Sequence, residues 1–201
     1  MSRFILLGIL GILVYGGCDS TRSGYGPTPT TFKFNDDVQS NAEAPENIDQ
    51  LTFVNRSGEN VKLADYIGQK NVLLVFMRGF SGALCPFCQT QTSRLISNYS
   101  EFEQRNTEIL LVYPGAADTV EPFLATVASS EAKEVAKVPF PILLDEELKA
   151  VDFFEIRASL AMPSTYILDQ QGQVRFAYVG TSVSDRPSIA ALLQQLDLLQ
   201  E

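Results

Sequence analysis

The stretch that decides the fold is residues 72–102, VLLVFMRGFSGALCPFCQTQTSRLISNYSEF. It opens with a continuous apolar run, residues 72–77, which is typical of a strand covered on both faces of a sheet. A stripe at helical spacing follows, and it consists of Cys88, Leu95, Tyr99 and Phe102. The stretch therefore predicts a buried strand followed by a helix that has one cysteine in its first turn and a second cysteine one turn deeper.

Strands and helices alternate through the rest of the chain. The predicted elements are a hairpin of residues 51–54 with 61–63, strands at 109–113 and 141–144, helices at 118–134 and 146–154, and an antiparallel pair of 164–168 with 174–179. A last helix is predicted to begin with Asp185 as its N-cap and Pro187 in its first turn. This order predicts one α/β domain with a mixed sheet, at residues 48–201.

The composition excludes several classes of function. The 201 residues contain 15 Lys and Arg against 24 Asp and Glu, a net charge of −9, which argues against a reader of nucleic acid phosphates. There is no histidine, so catalytic triads with a histidine base and zinc sites with histidine ligands are excluded. No metal or cofactor is expected, and the three cysteines remain as the reactive side chains.

The first 17 residues have the pattern of an export signal. Arg3 is followed by an apolar run at residues 4–15, then Gly16, Gly17 and Cys18. Twelve helical residues reach about 18 Å, short of the ~30 Å hydrocarbon core, so the run is not predicted to span a bilayer. The small residues before Cys18 resemble the lipobox of bacterial lipoproteins, although Tyr15 stands where that family usually has leucine.

The lipobox resemblance implies that the signal is cut before Cys18, that Cys18 carries lipid, and that the domain faces the extracytoplasmic side of a cell envelope. The alternative is an uncleaved anchor or a buried helix. Residues 18–47, rich in Ser, Thr, Gly, Pro and Asn, are predicted to form a flexible tether between this anchor and the domain.

The chemistry is predicted to lie in Cys85-Pro86-Phe87-Cys88. One cysteine in the first helical turn and another three residues later can close a disulfide, and the helix N-terminus lowers the pKa of Cys85 below the free value of about 8.5. Cys85 is therefore the predicted nucleophile and Cys88 the buried cysteine that resolves the mixed disulfide. The alternatives are a structural crosslink, which stabilises little across so short a loop, or two ligands of a metal site.

Three segments carry a family resemblance: VLLVFMRGF with CPFCQTQ, FPILLDEELKAVDFF, and AMPSTYILDQQGQVRFAYVG. From about Leu51 to the C-terminus the chain resembles the thioredoxin superfamily, and within it the redoxin branch of peroxiredoxins, the alkyl hydroperoxide reductase and thiol-specific antioxidant group. The resemblance implies a thioredoxin-like fold, with a central mixed sheet flanked by helices on both faces.

The same resemblance implies a substrate groove formed by Pro86, Phe87, Met162 and Pro163. In that superfamily the proline is in cis and the adjacent backbone pairs with a bound chain, whereas ordinary statistics for a bond before proline favour trans.

Two positions depart from the peroxiredoxin pattern. Peroxiredoxins have proline seven residues before the reactive cysteine and threonine or serine three before it, where this chain has Arg78 and Gly82. Arg78 is a candidate for stabilising a thiolate or polarising a peroxide, with an ion-paired surface group as the alternative. The residues between the cysteines also differ from those of thioredoxins, which leaves open whether the protein reduces or oxidises its partners.

Three functions follow as hypotheses. The first is a membrane-tethered, extracytoplasmic thiol–disulfide oxidoreductase that acts on protein disulfides. The second is a thiol peroxidase, in which a hydroperoxide oxidises Cys85 to a sulfenic acid that Cys88 resolves. The third is a non-catalytic binding lipoprotein. The first two require a thiol electron donor, and none involves nucleic acid.

Overall fold

The structure, a computed structural model, describes residues 32–80, 85–130 and 138–199. The predicted signal peptide, Cys18 and the first part of the predicted tether lie outside the described residues. Across the three described ranges, no helix is both long enough and apolar enough to cross a bilayer.

The strands within the described residues are β1 Thr52–Asn55, β2 Asn60–Lys62, β3 Asn71–Phe76, β4 Thr107–Tyr113, β5 Ile142–Leu144, β6 Ser164–Leu168 and β7 Val174–Val179. These seven strands form one sheet, in the order β2-β1-β5-β4-β3-β6-β7. The helices are α1 Pro86–Ser97, α2 Tyr99–Glu103, α3 Val120–Ser130, α4 Lys149–Phe153 and α5 Ile189–Asp197. Strands β3, β4 and β5 are parallel, and the other pairs are antiparallel. The sheet is therefore mixed, as the sequence predicts.

All six residues of β3 are buried because helices cover both faces of the sheet. On one face Leu73 and Val75 belong to a core that includes residues of α1, α3 and α5. On the other face Leu74 and Phe76 belong to a core that includes Val151 of α4. The continuous apolar run in the sequence is explained by this two-sided burial.

The last helix begins later than predicted. Its N-cap is Ser188, whose hydroxyl accepts a hydrogen bond from the Ala191 N–H at 3.2 Å. The prediction of Asp185 as the cap and Pro187 in the first turn is wrong, because Asp185 accepts hydrogen bonds from Thr181 within its own loop instead. Helix α4 likewise begins at Lys149 rather than at residue 146, and the predicted end of the third helix lies outside the described residues.

The predicted tether extends too far toward the domain. Residues 32–47 lie against the folded core: Phe34 is 3% exposed and Val38 is 7% exposed. The Asn41 N–H also donates to the Ala177 carbonyl of β7 at 3.0 Å. The prediction rests on the polar average composition of residues 18–47, and such an average does not show that Phe34 and Val38 can be buried individually.

The turn after β3 is fixed by a close approach between two loops. Gly79 has φ +90°, and a Cβ on it would lie 2.2 Å from the Pro114 carbonyl oxygen. The Phe80 N–H donates to that oxygen at 3.3 Å. This contact ties the loop after β3 to the loop after β4, at the sheet edge where the cysteine motif begins.

Replacing Gly79 with alanine is therefore expected to destabilise the protein more than replacing Gly58. Both glycines have positive φ, where a side chain costs about 1–3 kcal/mol, but a Cβ on Gly58 meets nothing within 4 Å. Urea unfolding of G79A and G58A measures the two losses of folding free energy. Equal losses would show that the contact with Pro114 imposes no constraint.

Candidate active site

The cysteine motif caps the helix that follows it. Helix α1 begins at Pro86, so Cys85 is its N-cap and lies just before the first turn rather than within it. The Cys85 carbonyl accepts from the Gln89 N–H at 3.1 Å, and the Cys85 Sγ accepts from the Cys88 N–H at 3.4 Å. Pro86 stands at the first helical position, where its missing N–H is not needed.

Both thiols face the core. Cys85 is 7% exposed and Cys88 is 3% exposed, and the two side chains are hydrogen-bonded to each other. They share one hydrophobic cluster with Met77. The burial of Cys88 agrees with its place on the apolar stripe. The sequence does not predict the burial of Cys85, because a residue just before the first turn of a helix is usually exposed to solvent.

A buried guanidinium lies beside the two sulfurs. Arg186 is 1% exposed, and its Nη2 lies 3.2 Å from the Cys88 Sγ and 4.0 Å from the Cys85 Sγ. Its Nη1 donates to the Gln91 side-chain oxygen of α1, and its Nε donates to the Val183 carbonyl at 3.0 Å. Among the described residues, its hydrogen-bond partners include no carboxylate. The anion that this charge faces is a cysteine thiolate.

This environment places the negative charge on Cys88. Burial alone raises the pKa of Cys88, but the Cys85 hydrogen bond, the Arg186 charge and the Arg78 backbone N–H outweigh it and lower the pKa to about 6. The hydrogen bond to Cys88, burial and the Cys88 charge raise the pKa of Cys85, and Arg186 opposes them only in part. In the reduced pair the proton is therefore on Cys85.

The predicted lowering of the pKa of Cys85 is wrong for a physical reason. The helix N-terminus offers the Cys85 sulfur one N–H at 3.4 Å, whereas Cys88 has a full positive charge at 3.2 Å. The sequence analysis missed Arg186. It lies 98 positions after Cys88, in the loop between β7 and α5, and the only local signal there is a predicted helix start.

The Arg78 side chain does not reach the sulfurs. Its Nη2 lies 3.4 Å from the Ser159 hydroxyl, and its carbonyl accepts from the Ala161 N–H at 3.2 Å. What Arg78 supplies to Cys88 is its backbone N–H. The candidate role for the Arg78 guanidinium therefore belongs to Arg186.

Met162 and Pro163 lie near the same end of the sheet, but their backbone groups are already bonded. The structure has no cis peptide bond within its described residues, so the Met162–Pro163 bond is trans and the implied cis proline is not present. The Met162 N–H donates to the Ile156 carbonyl at 2.8 Å, and its carbonyl accepts from the Ser164 hydroxyl at 3.0 Å. The Pro163 carbonyl accepts from the Gly180 N–H at 2.9 Å.

The other two predicted groove residues, Pro86 and Phe87, lie within the motif, between the two cysteines. Pro86 is exposed, and Phe87 is half-buried. The Phe87 ring packs against the Phe32 ring, with 4.3 Å between the ring centroids.

The described residues form a thioredoxin-like fold with two buried free cysteines at the start of α1. Residues 41–177 match the model of the AhpC/TSA family, and the chain belongs to that family.

Individual relatives agree with this membership. The chain is 30% identical to alkyl hydroperoxide reductase E of Mycobacterium tuberculosis, over 68% of this chain and 82% of that protein. It is 29% identical to a chloroplastic 2-Cys peroxiredoxin BAS1 of Hordeum vulgare, over 70% of this chain and 66% of that protein. The chain spans about half to two thirds of the length of the chloroplastic relatives it matches.

Solved structures agree on the fold. Peroxiredoxin Q of Xanthomonas campestris superimposes with a TM-score of 0.63 at 20% identity, covering 81% of this chain and 99% of that chain. A mutant of peroxiredoxin 6 from Arenicola marina gives a TM-score of 0.68 at 16% identity, covering 79% of this chain and 74% of that chain.

Replacing Arg186 with methionine is expected to raise the pKa of Cys88 above about 6, because burial of the thiolate is then opposed only by the Cys85 hydrogen bond and the Arg78 backbone N–H. As the pH falls, the wild-type thiolate persists until about pH 6, while the variant loses its thiolate at higher pH. The ultraviolet absorbance of the thiolate, followed against pH, measures both. The control is Arg78→Met, which keeps the backbone N–H and should titrate like the wild type. A raised thiolate pKa in R78M but not in R186M would show that Arg78, and not Arg186, stabilises the thiolate.

Proposed function

We propose that the protein is a thiol-dependent peroxidase that reduces hydroperoxides with the Cys85 and Cys88 pair. The observation that carries the proposal is the pair of cysteine sulfurs held beside the buried Arg186 guanidinium. The match to the AhpC/TSA family, and the relatives named alkyl hydroperoxide reductase and peroxiredoxin, support the same chemistry.

Burial of the sulfurs favours a small oxidant. A protein disulfide must bring its own sulfur into line with the attacking one, and Cys85 is only 7% exposed. The backbone groups of Met162 that would pair with a bound chain are bonded within the protein. A hydroperoxide needs neither an extended groove nor free backbone groups.

The first step makes use of the proton shared by the pair. The Cys85 thiol gives its proton to the Cys88 thiolate while the Cys85 sulfur attacks one oxygen of the hydroperoxide. A sulfur–oxygen bond forms, the oxygen–oxygen bond breaks, and the leaving alkoxide takes the proton from Cys88 to become an alcohol. Cys85 is then a sulfenic acid, oxidised by two electrons, and Cys88 is again a thiolate.

The second step closes the disulfide. The Cys88 thiolate attacks the sulfur of the Cys85 sulfenic acid, and hydroxide leaves and takes a proton to become water. Two electrons from an external thiol donor then restore the dithiol by thiol–disulfide exchange. Cys88 thus acts as the base of the first step and the nucleophile of the second.

Single cysteine variants test these roles. Cys85→Ser should consume hydroperoxide no faster than a free thiol, because the attacking sulfur is gone. Cys88→Ser should slow the first step by about 100-fold, because the positioned base is lost, and should leave a sulfenic acid on Cys85 that dimedone traps. Stopped-flow peroxide consumption and mass spectrometry measure both, with Cys18→Ser as the control that should match the wild type.

Contrary results have definite meanings. Rapid consumption by C85S together with an inert C88S would make Cys88 the attacking sulfur. No consumption by the wild type above the rate of a free thiol would remove the peroxidase.

A second candidate, the thiol–disulfide oxidoreductase, is favoured by two observations. Both cysteines lie at the start of one helix, and Arg78 and Gly82 stand where peroxiredoxins have the residues that position peroxide. This candidate would be favoured over the peroxidase if the wild-type protein reduced insulin disulfides but did not consume peroxide. Failure of both assays would leave the non-catalytic binding role.

We further propose that the protein is exported and anchored by lipid on Cys18. The support is the sequence pattern of a basic residue, an apolar run and small residues before Cys18. Acyl chains on Cys18 would attach the domain to a membrane surface on the extracytoplasmic side of the envelope, the periplasm in a cell with two membranes.

Replacing Cys18 with serine is expected to move the protein from the membrane fraction to the soluble fraction, because the attachment point of the lipid is lost. Fractionation of bacterial cells expressing the full chain, with a labelled fatty acid to detect the lipid, measures the change. Cys85→Ser is the control and should keep both the label and the location. A wild type without label would contradict the anchor.

A further inference from the structure

We propose that Asn35 and Asp185 are positioning residues of the active site, which hold the loop bearing Arg186 against the cysteine helix. The N-terminal strap, residues 32–38, is on this proposal a working part of the site rather than a tether. The claim that these residues support catalysis rests on the proposed function. The claim that they position Arg186 does not, because it is tested without substrate.

The backbone of Asn35 holds Arg186 from outside. The Asn35 N–H donates to the Arg186 carbonyl at 2.8 Å, and the Asn35 carbonyl accepts from the Ser188 N–H at 2.8 Å. These two bonds join Asn35 to both neighbours of Pro187 in a short parallel bridge. The backbone from which the Arg186 side chain departs is thus fixed by the strap.

The side chain of Asn35 reaches the same loop through Asp185. Its Nδ2 donates to the Asp185 Oδ1 at 2.6 Å and to the Tyr178 hydroxyl at 3.2 Å. The Asp185 Oδ1 also accepts from Tyr178 at 2.6 Å. The Asp185 Oδ2 accepts from the Thr181 N–H and hydroxyl, each at 2.8 Å. Asp185 therefore joins the strap, the end of β7 and the start of the loop.

The other end of the strap lies on the cysteine helix. The Phe32 ring packs on Phe87, which stands between the two cysteines. The Phe32 carbonyl accepts from the Arg94 Nη2 of α1 at 2.8 Å, and the Arg94 guanidinium lies 4.9 Å from the centroid of the Phe34 ring. The strap thus connects α1 to the Arg186 loop on the outside, while Arg186 connects them on the inside.

The contacts of the strap matter because the interaction of Arg186 with the cysteine sulfurs depends on where the loop holds the guanidinium. An arginine hydrogen bond to a sulfur weakens rapidly when the loop shifts by about 1 Å, and supporting contacts are what keep such groups in place. Besides Arg186, the titratable group that faces the pair within the described ranges is Tyr113: its pKa is raised by burial first and also by the charge of Cys88. Tyr113 is neutral in the relevant range, so Arg186 is the cation to be positioned.

The test replaces Asn35 with alanine and follows the thiolate absorbance against pH in the reduced full-length protein. The expected result is an upward shift of the thiolate midpoint by about one unit, because Arg186 is held less closely. The matched control is Asn41→Ala. The Asn41 side chain donates to the Val179 carbonyl at 3.0 Å and accepts from the Val179 N–H at 2.8 Å, but it does not contact the Arg186 loop.

Both variants thus remove two side-chain hydrogen bonds near β7, and only N35A should move the midpoint. An unchanged midpoint in N35A, or an equal shift in both variants, would overturn the proposal. Should N35A fail to fold, Asp185→Asn serves in its place, because it keeps an oxygen acceptor for Asn35 and Tyr178 and removes the acceptor for Thr181. It also removes the negative charge of Asp185, which alone would lower the thiolate midpoint, so a raised midpoint reports the displacement of Arg186. Its midpoint should lie between those of the wild type and R186M, and a midpoint equal to that of the wild type would overturn the proposal.

The result is separable from the proposed function. A shifted midpoint in N35A combined with no peroxide consumption by the wild type would leave the positioning role standing and remove the peroxidase.

Discussion

The charge of Arg186 inside the core is the constraint on which the rest of the site depends. A guanidinium that is 1% exposed must be matched by an anion, and the sulfur of Cys88 is the group within reach. That requirement decides which cysteine carries the proton, and it brings the loop after β7 against the helix after β3. Gln91, the Val183 carbonyl and the Met77 sulfur accept hydrogen bonds from other donors of the guanidinium.

The sequence predicts those parts of the molecule whose causes are local. The apolar run before the motif and the stripe through Leu95 predict β3 and α1, and alternating runs predict the remaining strands, because burial leaves a period in the sequence. Arg186 leaves no such trace, since its role arises when a loop folds back onto a helix. The prediction that Asp185 caps the last helix fails for the same reason: its carboxylate accepts hydrogen bonds from residues that folding brings near it.

The departures from the peroxiredoxin pattern, at Arg78 and around Pro163, have a common structural explanation. Arg78 stands where those proteins have proline, and it contributes its backbone N–H while a different arginine supplies the charge. The segment around Pro163 is closed by internal hydrogen bonds, so it offers no free edge to an extended chain. The family fold is kept, but the polar groups around the sulfurs come from other positions in the chain.

The buried guanidinium also bears on the energy of the oxidised protein. A disulfide between Cys85 and Cys88 is neutral, so its formation leaves Arg186 charged among uncharged partners in the described part of the chain: Gln91, the Val183 carbonyl and the Met77 sulfur. A buried cation without its counterion costs several kcal/mol, and this cost falls entirely on the disulfide state. We therefore expect the midpoint potential of the Cys85 and Cys88 couple to be displaced toward positive values.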